Sequence, residues 1–225
     1  MVQQIQRKLN DSALARWAAL ILIALMMFFA YMFVDMLSPL KSQLETGLGW
    51  NSTTFGTYAS SEYFLNVFCF FLIFAGIILD KMGIRFTGIL SASLMVVGAA
   101  IKFYAMSDLF IGSGLEAWMN SWWTSLPGTA KLSCLGFMIF GCGCEMAGIT
   151  ASKALAKWFE GKEMALARVG VFFIFTISPR IAGIGGADPS VVRPVAFCTA
   201  LLLIGLICYT IFCLMDKKLD KQKMV

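Results

Sequence analysis

Asp80-Lys81-Met82-Gly83-Ile84-Arg85 places three charges within six residues, between apolar runs at 57–79 and 86–106 that are each long enough to cross a bilayer. A connector this short and this charged is a tight turn at a membrane surface. Its Lys81 and Arg85 put that surface on the cytoplasmic side by the positive-inside tendency. Within the longer stretch that begins at Gly76, the expected roles are distinct. Gly76 lets two helices approach closely, Gly83 relieves the turn, and Asp80 accepts from backbone N–H groups or pairs with a base.

The rest of the chain repeats the pattern. Residues 1–16 are polar and basic, a short cytoplasmic leader. Apolar runs at 17–37, 134–152, 165–184 and 194–214 complete six predicted spans, and 215–225 reads as a solvated basic cytoplasmic tail. The first run is too long, and too poor in small-residue cleavage signals, to be a removable signal peptide. The expected fold is therefore an all-α membrane protein with a six-helix transmembrane domain over 17–214 and both ends inside. Charged residues make up only 14% of the chain, well below the roughly 25% of soluble domains, which makes a soluble core the poorer reading.

Charge placement agrees. Arg7, Lys8, Arg16, Lys81, Arg85, Lys153, Lys157, Lys162, Arg168, Lys217, Lys218, Lys221 and Lys223 fall toward the predicted inner side. Lys41, Lys102, Lys131, Arg180 and Arg193 fall toward the outer side, a bias of thirteen to five. Trp118, Trp122 and Trp123, in the outer loop 107–131, suit a headgroup-level position. The bases form no interleaved patch, so nucleic acid is not an expected partner.

With no histidine in the chain, histidine-based metal sites, triads and proton relays are excluded. No P-loop pattern is present, and no nucleophile stands beside a base. The expectation is no enzyme, no cofactor, no metal and no ATP-driven pumping. All seven cysteines fall in predicted spans; Cys142 and Cys144 lie about 200° apart on a helix and read as small hydrophobes.

What carries functional information is the set of ionisable groups at bilayer depth, since each costs at least about 2.5 kcal/mol to insert. These are Asp35, Glu62, Glu145, Arg168 and Arg180. Asp35 follows Tyr31 by one turn and shares its face. Glu62 heads a face continued by Asn66. Glu145 lies in the small-residue run Gly141-Cys142-Gly143-Cys144-Glu145-Met146-Ala147-Gly148, about 12 Å from the inner end of its predicted span, where close backbone packing would aim it into a cleft. An unpaired carboxylate there is costly, so it is protonated or it meets a partner, for which Arg168 is the nearest candidate. The pair reads either as a structural ion pair or as a substrate site contacting the two ends of a zwitterion. Arg180 follows Pro179 and needs an acid such as Asp188 or Asp35. The candidate substrate-binding set is Glu145, Arg168, Glu62, Asn66, Tyr31 and Asp35.

The spacing G-x-x-x-D-[KR]-x-G-x-[KR] over Gly76, Asp80, Lys81, Gly83 and Arg85 resembles the loop signature of the major facilitator superfamily of secondary transporters, with Ile84 where that family has a second base. A closer resemblance rests on four further segments. Tyr63-x-x-Asn66-Val67, Gly141-x-Gly143-x-Glu145, Lys157-Trp158-Phe159-Glu160-Gly161-Lys162-Glu163 and Ala167-Arg168-Val169-Gly170 resemble the branch of the lysosomal dipeptide uniporter and its bacterial relatives. The resemblance implies that Glu145 and Arg168 hold the amino and carboxylate ends of a peptide. It also implies a site between two six-helix halves that rock about it, with Asp80 engaging a helix of the second half. The chain departs from the family in two ways. About two helical turns are missing between Glu163 and Ala167, which moves Arg168 toward the inner edge, where it can snorkel to headgroups. And 225 residues correspond to a single six-helix half.

The functional expectation is a secondary transporter of small solutes, dipeptides or similar zwitterions, read as a truncated N-terminal half. The alternatives are a non-transporting membrane interaction or assembly subunit, or a half-transporter active only as a dimer. Expected partners are the lipid bilayer, a small-molecule or peptide substrate, and a second six-helix half or another copy of the chain. The expected location is multi-pass in the bacterial inner membrane.

Overall fold

The computed structural model describes residues 8–160 and 191–223. Its described residues form seven α-helices and no strand: α1 (Ala13–Asp35), α2 (Lys41–Leu48), α3 (Ser52–Phe68), α4 (Phe71–Met106), α5 (Gly114–Ser121), α6 (Gly128–Trp158) and α7 (Val192–Lys223). Four of them, α1, α4, α6 and α7, are long and apolar enough to cross a membrane. The fifth predicted span, 165–184, with Arg168 and Arg180, lies outside the described residues.

Local chemistry sets several boundaries. Asn51 caps α3 by accepting from the Thr54 N–H at 2.9 Å, and Ser113 caps α5 by accepting from the Glu116 N–H at 3.2 Å. The expected outer loop 107–131 thus holds a short helix of its own, α5, whose Trp118 and neighbouring Trp122 and Trp123 are exposed.

A straight helix of 36 residues would be about 54 Å long, far beyond the roughly 30 Å hydrocarbon core, and α4 is not straight. Gly83 sits inside it at φ 76°, ψ 173°, a region open essentially to glycine alone. The register against α6 shows what that residue does. Before it, contacts climb together: Trp50 bonds Thr129 at 3.0 Å, Tyr58 stacks on Phe137 at 4.8 Å, Glu62 lies against Gly141, and Asp80 pairs with Lys153 at 2.6 Å. After it they descend, with Ser91 against Gly143 and Gly98 against Gly136. The chain therefore runs parallel to α6 up to Gly83 and antiparallel beyond it, so Gly83 is the turn between two helical arms.

The second predicted span, 57–79, is not one continuous helix. α3 ends at Phe68, and Phe70 takes a left-handed φ of 51° before α4 begins. The Cys69 N–H donates to Leu65 O at 3.2 Å and the Ile73 N–H to Phe70 O at 3.0 Å, so both amides keep partners through the break. No Gly or Pro marks the place, which is why hydropathy runs straight through it. Gly76 also departs from expectation: a Cβ there would meet nothing, so among the described residues it is not a packing notch.

The tail is only partly solvated: Lys217, Lys218 and Lys221 are exposed, but other residues are packed. α7 continues through Lys223 with Asp216 and Leu219 buried, and the Leu9 N–H donates to Gln222 Oε1 at 2.8 Å, so the leader and the tail meet at one end of the bundle. Arg16, assigned to the leader, is likewise buried inside α1. At about 48 Å, α7 outruns the hydrocarbon core, and its last turns, with Asp216 and Asp220, project beyond it.

Candidate functional site

Two polar centres emerge. The first lies at the end of the bundle that holds the Gly83 turn. Arg85 bonds Asp216 at 3.2 Å and Asp220 at 2.6 Å, and Lys157 lies 2.7 Å from each of the two carboxylates. Trp158 Nε1 donates to Asp216 Oδ1 at 3.1 Å, and the Tyr209 hydroxyl donates to Ile84 O at 2.9 Å. Burial raises the Asp220 carboxyl, but hydrogen bonds from Lys157 and Arg85 outweigh it and leave the group below its ordinary value. This network ties α4, α6 and α7 together at the turn. Asp80, which the family resemblance leaves to a helix of a second half, is paired within the chain: Lys153 of α6 donates to it at 2.6 Å. Lys81 is exposed.

The second centre is acidic and lies within the helical bundle. Gly141 leaves no room for a Cβ, which would clash with the backbone oxygen of Glu62. That contact draws α3 onto α6 and brings Glu62, only 4% exposed, beside the helix face that carries Glu145 one turn further on. Glu145 lies thirteen residues before the end of α6, about 20 Å, deeper than the 12 Å expected from a span ending at 152. The charges acting on Glu62 come from Glu145, Lys102 and Asp35, and Tyr63 lines the same cavity. Tyr31, half-buried on α1, faces the same two glutamates. Asn66, one turn beyond Glu62, buries an amide with no hydrogen-bond partner among the described residues at either its oxygen or its nitrogen.

Five of the six candidate substrate-binding residues, Tyr31, Asp35, Glu62, Asn66 and Glu145, therefore fall on the facing helices α1, α3 and α6. The sixth, Arg168, lies outside the described residues. A cavity of about 170 Å³ opens on this centre, lined by Asp35, Glu62, Tyr58, Tyr63, Ser38 and Phe137 among others. A larger hollow of about 460 Å³ between α3, α5 and α6 is apolar, walled by Phe64, Trp122, Trp123 and Met138, and does not touch the acids. Volume alone would favour the larger hollow, but its one charged lining residue is Lys131, whereas two carboxylates, Asp35 and Glu62, converge on the smaller.

Sequence reading missed one residue at this centre. Lys102 was counted only as an outer-side charge; in the structure it is fully buried, with Nζ 4.2 Å from the Phe33 ring, 4.8 Å from Tyr58 and 4.6 Å from Phe137. The signal was available, since Lys102 stands in an apolar run that otherwise carries no charge from Phe86 to Met106.

Fold and site together define an all-helical integral membrane protein with a buried acidic centre. Comparison with protein-family models found no match, and comparison with curated proteins and solved structures found none either.

Proposed function

We propose that the chain is a secondary transporter, or one helical half of one, for small solutes carrying an ammonium group, dipeptides among them. The observation that supports this is the burial of Glu62 against Gly141, which holds a carboxylate at bilayer depth beside Glu145 and a cavity walled by Tyr58, Tyr63 and Phe137. Carboxylates with aromatic faces around them suit an ammonium: the acids supply charge and the ring faces supply cation–π attraction as water is excluded. In this reading Glu145 and Glu62 take the ammonium, Asn66 offers its unpaired amide, and Arg168 takes the carboxylate end of a zwitterion. Rocking of two bundles about a mid-depth site, as the resemblance to the major facilitators implies, moves the solute without ATP.

The test is binding of alanyl-alanine to the purified chain in lipid nanodiscs, with membrane abundance measured alongside. Saturable binding is expected for the wild type, and its loss at normal abundance in Glu62→Gln and Glu145→Gln. Full binding by both variants refutes the site.

A further inference from the structure

Lys102 has no structural justification of the usual kind. Its ammonium is fully buried in α4 and, among the described residues, no acceptor lies within hydrogen-bond distance of Nζ. Buried lysines are normally paired because an ammonium loses its hydration on burial and needs acceptors in exchange. Here three ring faces stand in for them: Phe33 from α1, Tyr58 from α3 and Phe137 from α6. Ring faces attract a cation but accept no hydrogen bonds of ordinary strength. What else holds the charge is the field of nearby groups. From α3 that is Glu62; the Cys134 thiol of α6 and the Cys198 thiol of α7 stand near Lys102 but are neutral, and on the α1 side Asp35 and Tyr31 face Glu62, as does Glu145 of α6. Glu62 is the one carboxylate among the groups acting directly on Lys102.

Two of the rings that hold Lys102, Tyr58 and Phe137, also wall the cavity that contains Glu62 and Asp35. A cation entering that cavity therefore shares the Tyr58 and Phe137 rings with Lys102, and both depend on the same carboxylate. If an ammonium neutralises Glu62, the remaining support for the Lys102 charge is three π faces, and a second buried cation beside the first is strongly disfavoured at low dielectric. The balanced way out is loss of one proton.

We propose that Lys102 is the proton-exchange group of this site: an ammonium-bearing solute that binds Glu62 drives one proton off Lys102. The step conserves charge. The solute brings one positive charge to Glu62, the Lys102 ammonium becomes the neutral amine, and its proton passes to water. When the solute departs, the proton returns. The proposal rests on the acidic-site reading above and adds to it the coupling ion and the residue that carries it.

Tetramethylammonium is the probe, because it has no proton of its own to release. Its binding to the full chain in nanodiscs is followed in weak buffer with a pH indicator between about pH 5 and 9. The wild type is expected to release up to about one proton per cation bound somewhere in that range. Lys102→Met is expected to bind the cation at least about tenfold more tightly and to release none. Lys102→Arg keeps the charge and the ring contacts but cannot give up a proton, so it binds weakly without release, and it decides the matter if Lys102→Met does not reach the membrane. Release undiminished in either variant, or wild-type binding without release anywhere in the range, overturns the role of Lys102 alone. Failure of the wild type to bind, or undiminished binding by Glu62→Gln, overturns the acidic-site reading with it.

Discussion

Replacing Asp216 with Asn tests the network at the Gly83 turn. The Asp216 carboxylate is about 1% exposed and accepts from Lys157 at 2.7 and 2.9 Å, from Arg85 at 3.2 Å and from the Trp158 indole at 3.1 Å. Removing one member of a fully buried ion pair costs about 3–5 kcal/mol, mostly because the partner is left unpaired. Here the partners are not abandoned: Asp220 remains 2.6 Å from Arg85 and 2.7 Å from Lys157, both bases are partly exposed, and Asn retains an oxygen for the indole. The expected cost of Asp216→Asn is therefore about 2 kcal/mol, the value of charge-assisted hydrogen bonds lost at a buried acceptor. Asp80→Asn is the internal reference. It breaks a pair in which Asp80 is 78% exposed and Lys153 45% exposed, so it should cost well under about 1 kcal/mol. The assay is thermal unfolding of both variants in one detergent, read by tryptophan fluorescence. If Asp216→Asn melts no lower than Asp80→Asn, the network does not hold the turn. Acid gives a second view. Since the folded Asp220 carboxyl lies below its ordinary value, its contribution is complete above the unfolded pKa of about 3.9 and is lost as pH falls through the folded one, so this part of the stability should fade only below about pH 4.

Gly83→Ala should cost about 1–3 kcal/mol through backbone strain alone, because a Cβ there meets no atom within 4 Å while the φ of 76° disfavours any side chain; an unchanged melting temperature would mean that the turn relaxes freely. For topology, Met82→Cys in a cysteine-free background is the reporter, since Met82 is exposed. Only membrane-permeant reagents should label it in intact cells, and labelling by an impermeant one from outside would reverse the assigned orientation.

The helical, membrane-spanning character was legible because it depends on residue type summed over long windows: the apolar runs at 134–152 and 194–214 fall inside α6 and α7, and the run at 17–37 overruns the end of α1 by only two residues. The Gly83 turn was legible for a different reason: one residue type permits the φ it adopts. Neither kind of signal marks Phe70, where a phenylalanine takes a left-handed conformation that its neighbours do not announce. Nor does composition reveal that Asp216 is buried. The acids of a basic tail look solvated until Arg85 and Lys157, distant in sequence, are placed beside them.

The acidic centre shows the same division. Gly141 and Glu145 share a helix face, so the sequence could say that an acid lies one turn from a place where a backbone can approach, but not which backbone fills the notch. That α3 fills it, with Glu62 at the point of contact, is a property of packing. Lys102 shows the opposite failure. Its position in an apolar run announced a cost of a few kcal/mol, yet assigning it to the outer surface explained the cost away. The three rings that hold its ammonium come from three helices, so no local pattern could have gathered them, but the cost itself was a local fact. An unexplained insertion cost at a single residue therefore identifies where tertiary structure must supply a compensating environment, and here that environment shares Tyr58 and Phe137 with the cavity beside Glu62.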